Sequence, residues 1–404
     1  LYLNNDGGAH NVAIGTFAML DNTSGSCNVA VGTCALCDNT TGGNNVAVGW
    51  RSLYNNTTAG SNVAMGREAL VSNTTGAQNV AVGHTSLYTN ITGSCNVGIG
   101  VCALYTANAA DNTAIGTHAM RYNTVGTNNV ALGVYALRTN TTGKENTAIG
   151  AHALCTSDSI YNTAVGAYAL CTNADGGYNV GIGRSALMKN TSSSLNTAVG
   201  TFALCSNTTT DGSTAVGYGA LQQATAVANT AVGAAALTTN TTGTCNTAVG
   251  FCTMKNNTTG NCNTAVGLCT LYSNISTSNN TAIGLFALRD NWAGNVNTGI
   301  GYKALMSNTS GYYNLALGGH ALQDNTTGAQ NTAVGHCALH QNNGHNNTAV
   351  GMYASLCNTS GTQNAALGLC ALCGNTSGSY NTALGVHTLL SNTTGCYNTA
   401  TGCG

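Results

Sequence analysis

The sequence predicts an all-β protein, a parallel β-solenoid of about 24 coils with 16 or 17 residues in each, on three observations. A glycine recurs in strict register from Gly15 to Gly402, charged residues make up only 5% of the chain, and proline is absent. The 24 anchor glycines are separated by 17 residues nineteen times and by 16 residues four times, the short steps ending at Gly116, Gly166, Gly233 and Gly351. Self-similarity at so short a period marks a stacked repeat, because a unit of this size cannot bury its apolar face alone. The expectation is one continuous domain, residues 1–404, uncapped at both ends, since Leu1 begins inside a repeat and Gly404 stops two residues after an anchor. Coils stacked at roughly 4.8 Å would extend about 115 Å.

The elements of one repeat follow in order from Asn246 to Cys262, which reads N-T-A-V-G-F-C-T-M-K-N-N-T-T-G-N-C. The asparagine four residues before the anchor is present in 23 repeats, Ser213 being the exception, and stacked amides can hydrogen-bond from coil to coil. The next three residues, usually Thr or Val, Ala, and Val or Ile, predict a short strand, and the anchor glycine permits a bend. The following x-x-A-L predicts a second strand. The N-T-T-G segment predicts the closing corner, since these residues suit turns. Small Ala side chains suit a narrow lumen. A strand with neighbours on both sides needs every N–H, which accounts for the missing proline.

Composition excludes several functions. A net charge of -1 gives no clustered Lys and Arg to neutralise phosphates, so no nucleic-acid partner is expected, and no apolar run is long enough to span a membrane. Eleven acidic residues over 24 repeats supply neither a calcium ladder nor paired catalytic carboxylates. Fragments such as Gly98 with Gly100 and Gly299 with Gly301 lack the lysine and helix of a phosphate loop. The densest titratable group is His336, Cys337, His340 and His345, with His320 one repeat earlier; exposed decoration is the expectation, with a metal site as its alternative. No enzyme activity and no cofactor are expected.

Eighteen cysteines indicate an oxidising, extracellular setting. The pairs Cys34/Cys37 and Cys370/Cys373 sit at equivalent places in the repeat and do not make a zinc motif. Cysteine stands five residues before an anchor at Cys27, Cys95, Cys245 and Cys262, and each time another follows two residues after that anchor, at Cys34, Cys102, Cys252 and Cys269. Seven extended residues span up to about 23 Å, too far for a disulfide within the coil, so the expected bridges join neighbouring subunits; the alternative is small, unpaired side chains. An N-x-S/T sequon recurs at the corner in 16 repeats, including Asn22, Asn39, Asn56, Asn73, Asn90, Asn140, Asn240, Asn325 and Asn392, which makes these glycosylation candidates, with plain turn chemistry as the alternative.

The motif N-x-A-V/I-G, as in Asn11–Gly15 and Asn146–Gly150, resembles the head repeats of YadA-like trimeric autotransporter adhesins. The fuller N-T-A-I-G-x-x-A-L-x-x-N-T-T-G is similar to repeats of phage tail-fibre proteins. The resemblance covers the whole chain and implies a left-handed β-roll, a homotrimer, and a surface or host-recognition appendage. Two departures stand beside it: the period is 17 rather than about 14, and the chain shows no anchor or chaperone domain. The function expected is a structural fibre or shaft of an extracellular appendage, on a cell surface or virion. Its partners would be copies of itself, in a trimer or a head-to-tail filament, and host-surface or matrix glycans. A second class is an ice-binding or glycan-bearing surface filament. Threonine follows the conserved asparagine at Thr147, Thr163, Thr197, Thr247 and Thr332, although Val12, Val29, Val46, Val63, Val80 and Val97 hold that place early in the chain.

Overall fold

The computed structural model describes residues 8–403. Among them every regular element is a three-residue β-strand, and no residue is helical. The chain divides into two compact units, Leu1–Thr201 and Phe202–Gly404. The first carries strands β1 (Val12–Ile14) to β12 (Thr197–Val199), the second β13 (Thr214–Val216) to β24 (Thr399–Thr401). Within each unit consecutive strands pair in parallel, with each residue opposite its equivalent one repeat away, as in Val29↔Val46 and Thr247↔Thr264. One repeat therefore makes one coil, and twelve stacked strands extend each unit's sheet over about 53 Å.

The strand lies where the alternation of the sequence placed it. Its middle residue points into the lumen, and Ala30, Ala47, Ala148 and Ala248 are fully buried while their neighbours face outward. The anchor glycines sit at φ near +130°, as at Gly83, where an added Cβ would lie 2.5 Å from the carbonyl oxygen of Gly100. Both the backbone angle and the next coil exclude a side chain there.

The predicted second strand is not a strand. The x-x-A-L segment is a turn in which alternate residues take positive φ, for example Cys34 at 55° and Leu36 at 51°. This tight arc turns two consecutive side chains inward, and Ala35 and Leu36 are both fully buried. A strand cannot do this, because its successive side chains point to opposite faces. Each left-handed residue costs ~1–2 kcal/mol. Inter-coil bonds offset the strain: the Cys34 N–H donates back to Thr16 O (2.9 Å) and the Leu36 N–H forward to Ser52 O (3.0 Å).

Two columns of asparagine complete the lumen. Before the strand, Asn45 accepts at Oδ1 from the backbone N–H of Asn62 in the next coil (3.0 Å). Its own amide donates across the coil to Ala59 O (2.9 Å). At the corner, Asn56 Nδ2 donates to Asn39 Oδ1 of the preceding coil (2.8 Å) and to the same Ala59 O (2.9 Å). The repeated amide-to-amide chain expected of the first column runs down the second. Side-chain pairs also join some first-column neighbours, such as Asn129 and Asn112 (3.2 Å).

Candidate interaction face and cysteine columns

The outward side chains form columns, since every coil repeats the same directions. The residue just before the anchor is apolar and outward in every repeat but the last, where Thr401 stands, with Leu132 at 43% exposure in the first unit and Leu317 at 43% in the second. The residue just after the anchor adds Trp50, Val101 and Val134 to the first unit's surface. In the second it adds Phe251, Leu268, Tyr302, Met352, Leu369 and Val386. Three residues before the anchor stand the Thr and Val of the third column, mostly half-buried. The result is a mainly aliphatic, aromatic and Thr stripe along each unit, interrupted in the first unit by Arg67 and Arg184, which follow their anchors in the same column. Contiguous apolar patches above a few hundred Å² are rare on monomeric soluble proteins and mark interaction sites.

Rings stack along the turn face at the spacing of the coils. Tyr88 and Tyr105 lie 4.9 Å apart, and His118, Tyr135, His152 and Tyr168 form a continuous run with centroids 5.0–5.4 Å apart. Arg121 and Arg138 lie over Tyr122, with Arg138 also over Tyr135. Burial and the two guanidinium groups push the His118 imidazole below the ordinary histidine range.

The histidine-rich group is only partly assembled. His320 stands 5.5 Å from His336 and 6.2 Å from His340, and His340 Nδ1 approaches Asp324 Oδ2 at 3.4 Å. Burial holds His340 low, with Asp324 opposing and the two other imidazoles reinforcing. His345 is engaged elsewhere, accepting from the Ala329 N–H at 3.0 Å. Among the described residues no three His, Cys, Asp or Glu are arranged to hold a metal ion.

The sequon asparagines are the corner column of the lumen. Asn22, Asn39, Asn56, Asn73, Asn90, Asn140, Asn240 and Asn325 are fully buried, and Asn392 is half-buried. Their Nδ2 atoms, to which a glycan would be attached, donate to the corner carbonyl and, in many coils, to the preceding amide. The folded coil leaves no room for a sugar on these nitrogens, so the glycosylation expectation gains no support from the geometry.

All eighteen cysteines are free thiols in the single chain. Cys27, Cys95, Cys245 and Cys262 are exposed ahead of the strand, whereas Cys34, Cys102, Cys252 and Cys269 are buried or half-buried beyond the glycine. Both columns have positive φ. The sequence reading missed a third column five residues after the anchor, which includes Cys155 and Cys171 on consecutive coils. Its signal was present as cysteines 16 residues apart across a 16-residue step.

The 16-residue coils also carry a device the sequence reading missed. In ordinary coils two corner N–H groups donate to one backbone carbonyl of the next coil, as Thr23 and Ser24 do to Thr40 O. In three places where the next corner is one residue short, a side-chain oxygen takes over. Asn108 Oδ1 accepts from Ile91 and Thr92 (3.0 and 2.9 Å), Asn343 Oδ1 from Thr326 and Thr327, and Asp158 Oδ1 from Thr141 and Thr142. Burial raises the Asp158 carboxyl, but the bonds from Thr141 and Thr142 outweigh it and hold the group below its ordinary range. Three of the four 16-residue coils replace the corner asparagine, by Ala107, Ser157 and Ala224, and the first two leave Asn90 Oδ1 and Asn140 Oδ1 buried without a hydrogen-bond partner.

No protein-family model matches the chain, and no curated protein matches it. Its class is defined by the fold alone: a parallel β-solenoid repeat protein with one coil per 16 or 17 residues.

Proposed function

We propose that the chain is a structural element, a shaft or fibre segment of an extracellular appendage, which assembles with further copies of itself along the apolar stripe. The observation that carries this reading is the stripe, three outward columns repeated at the coil spacing through both units. A partner that matches ranks about 4.8 Å apart along their whole length must carry the same spacing, and a second copy of this chain does. A strip about 53 Å long and roughly 13 Å wide offers on the order of 700 Å² per unit, close to the 800 Å² per partner of a stable interface. The trimer and the surface or host-recognition role implied by the resemblance are part of this proposal. So are the location on a cell surface or virion and binding to matrix glycans.

Sedimentation of the reduced full chain tests it. Oligomers at micromolar concentration are expected, and replacing Leu317 and Leu367 by Lys should shift them towards monomer without unfolding the coils. A wild-type chain that sediments as a monomer throughout that range would overturn the proposal.

One observation favours a second reading. Six consecutive coils of the second unit carry outward Thr at 214, 230, 247, 264, 281 and 298, a regular hydroxyl rank on a parallel sheet. Thermal hysteresis of the purified chain would point to ice binding, and its absence removes that reading.

A further inference from the structure

We propose that cysteines sharing a column on consecutive coils close vertical disulfides within one chain: Cys155 with Cys171 in the first unit, and Cys245 with Cys262 and Cys252 with Cys269 in the second. The inference does not depend on what the apolar stripe binds.

The ladder sets each pair face to face. On either side of Cys155, the Leu154 N–H donates to Ala169 O (3.0 Å) and the Thr156 N–H to Cys171 O (3.1 Å), so the two cysteines occupy one rung. The Cys262 N–H donates to Thr244 O and the Cys269 N–H to Phe251 O, both at 3.0 Å, which fixes the other pairs in the same way. Equivalent residues on neighbouring coils are about 4.8 Å apart, inside the Cα separation of roughly 4.4–6.8 Å that a disulfide needs.

Side chains in these columns do reach across one step. In the column of Cys252 and Cys269, Thr85 Oγ1 meets Cys102 Sγ at 3.2 Å one coil away. In the column of Cys245 and Cys262, Cys95 Sγ meets Gln78 Oε1 at 3.4 Å. Cys27, Cys34, Cys95 and Cys102 have no cysteine in their own column on either adjacent coil, and therefore serve as internal controls.

The first pair is also prepared chemically. A hydrogen bond from the Cys171 thiol draws Cys155 down to about 6, with help from His152 and against the effect of burial, while the Cys171 thiol is raised. Cys155 is thus the more readily ionised of the two thiols and the attacking sulfur. It displaces one thiolate from a low-molecular-weight disulfide and forms a mixed disulfide. Cys171 then loses its proton and attacks the Cys155 sulfur, releasing the second small thiolate. Two protein thiols are oxidised, one small disulfide is reduced to two thiols, and the chain loses two hydrogens per bridge.

Peptide mapping of the full chain tests the proposal. A mixture of isotopically light and heavy chains is equilibrated with glutathione disulfide, alkylated, and cut without reduction by trypsin and chymotrypsin. Cleavage at Tyr161, Tyr168, Phe251, Lys255 and Leu268 separates the six cysteines of the proposed pairs. The expected product has the links Cys155–Cys171, Cys245–Cys262 and Cys252–Cys269, all light-to-light or heavy-to-heavy, with Cys27, Cys34, Cys95 and Cys102 in no protein-to-protein link, each either alkylated or carrying glutathione. In Cys171→Ser, Cys155 should instead accumulate as the glutathione mixed disulfide. Light-to-heavy links, links from Cys245 to Cys252, or cysteines that are all alkylated or glutathionylated with no protein-to-protein link would overturn it.

Discussion

At the scale of single residues, the lumen is held by amides whose every bond crosses or closes a coil. Replacing Asn45 by Ala removes the acceptor of the buried Asn62 N–H and one donor to Ala59 O. A buried group left unpaired costs about 1–3 kcal/mol, and a loss of that size is expected in the denaturant melt of the first unit. Ser213 offers the converse test. Its hydroxyl reaches Asn229 N and Ala226 O only at 3.4 Å, where asparagine in other coils makes bonds of about 2.7–3.1 Å. Ser213→Asn should therefore stabilise the second unit by roughly 1 kcal/mol.

The two depressed histidines set a pH dependence. His118 and His340 both bind protons less readily when folded than the unfolded chain, whose histidines titrate near pH 6.5. Their stabilisation is present above that value and is lost as pH falls through it towards their folded values. Melts at pH 7.5 and 5.5 should show each unit less stable at the lower pH. His118→Gln and His340→Gln should shrink the difference in their respective units. Asp158 adds a separate loss below the ordinary carboxylate range, since its carboxyl is also held low.

At the scale of elements, the sequence showed one strand plainly and misrepresented the other. Alternation around the central alanine, with an anchor glycine that never varies, was enough to place every strand in register. The arc was misread because A-L looks apolar and strand-like, yet two adjacent positions that both stay apolar already break the period of two expected for a strand. The corner asparagine gave a similar clue. At Asn123, Asn173, Asn291 and Asn342 the sequon is broken but the asparagine remains, which fits a lumen amide better than a sugar acceptor. Left-handed φ at Leu or Cys has no propensity signal in sequence, since such residues ordinarily avoid it. Vertical disulfides would act at this scale too. Each closes a loop of about 17 residues and should add roughly 3 kcal/mol, so the midpoint of unfolding should fall on reduction and stay unchanged in the variants Cys171→Ser, Cys262→Ser and Cys269→Ser combined.

At the scale of the molecule, identical coils mean that stability is a sum of coil and neighbour terms rather than one cooperative value. They also turn any outward preference into a column, so a weak apolar bias in one repeat becomes a continuous stripe. That stripe is what supports the proposal of an assembling structural element. Electron cryomicroscopy of the purified full chain tests that account most directly. The account predicts a layer repeat near 4.8 Å within each unit, and copies that meet along the columns flanking the anchor glycines. Dispersed single chains with the stripe open to solvent, or copies joined through the turn face instead, would contradict it.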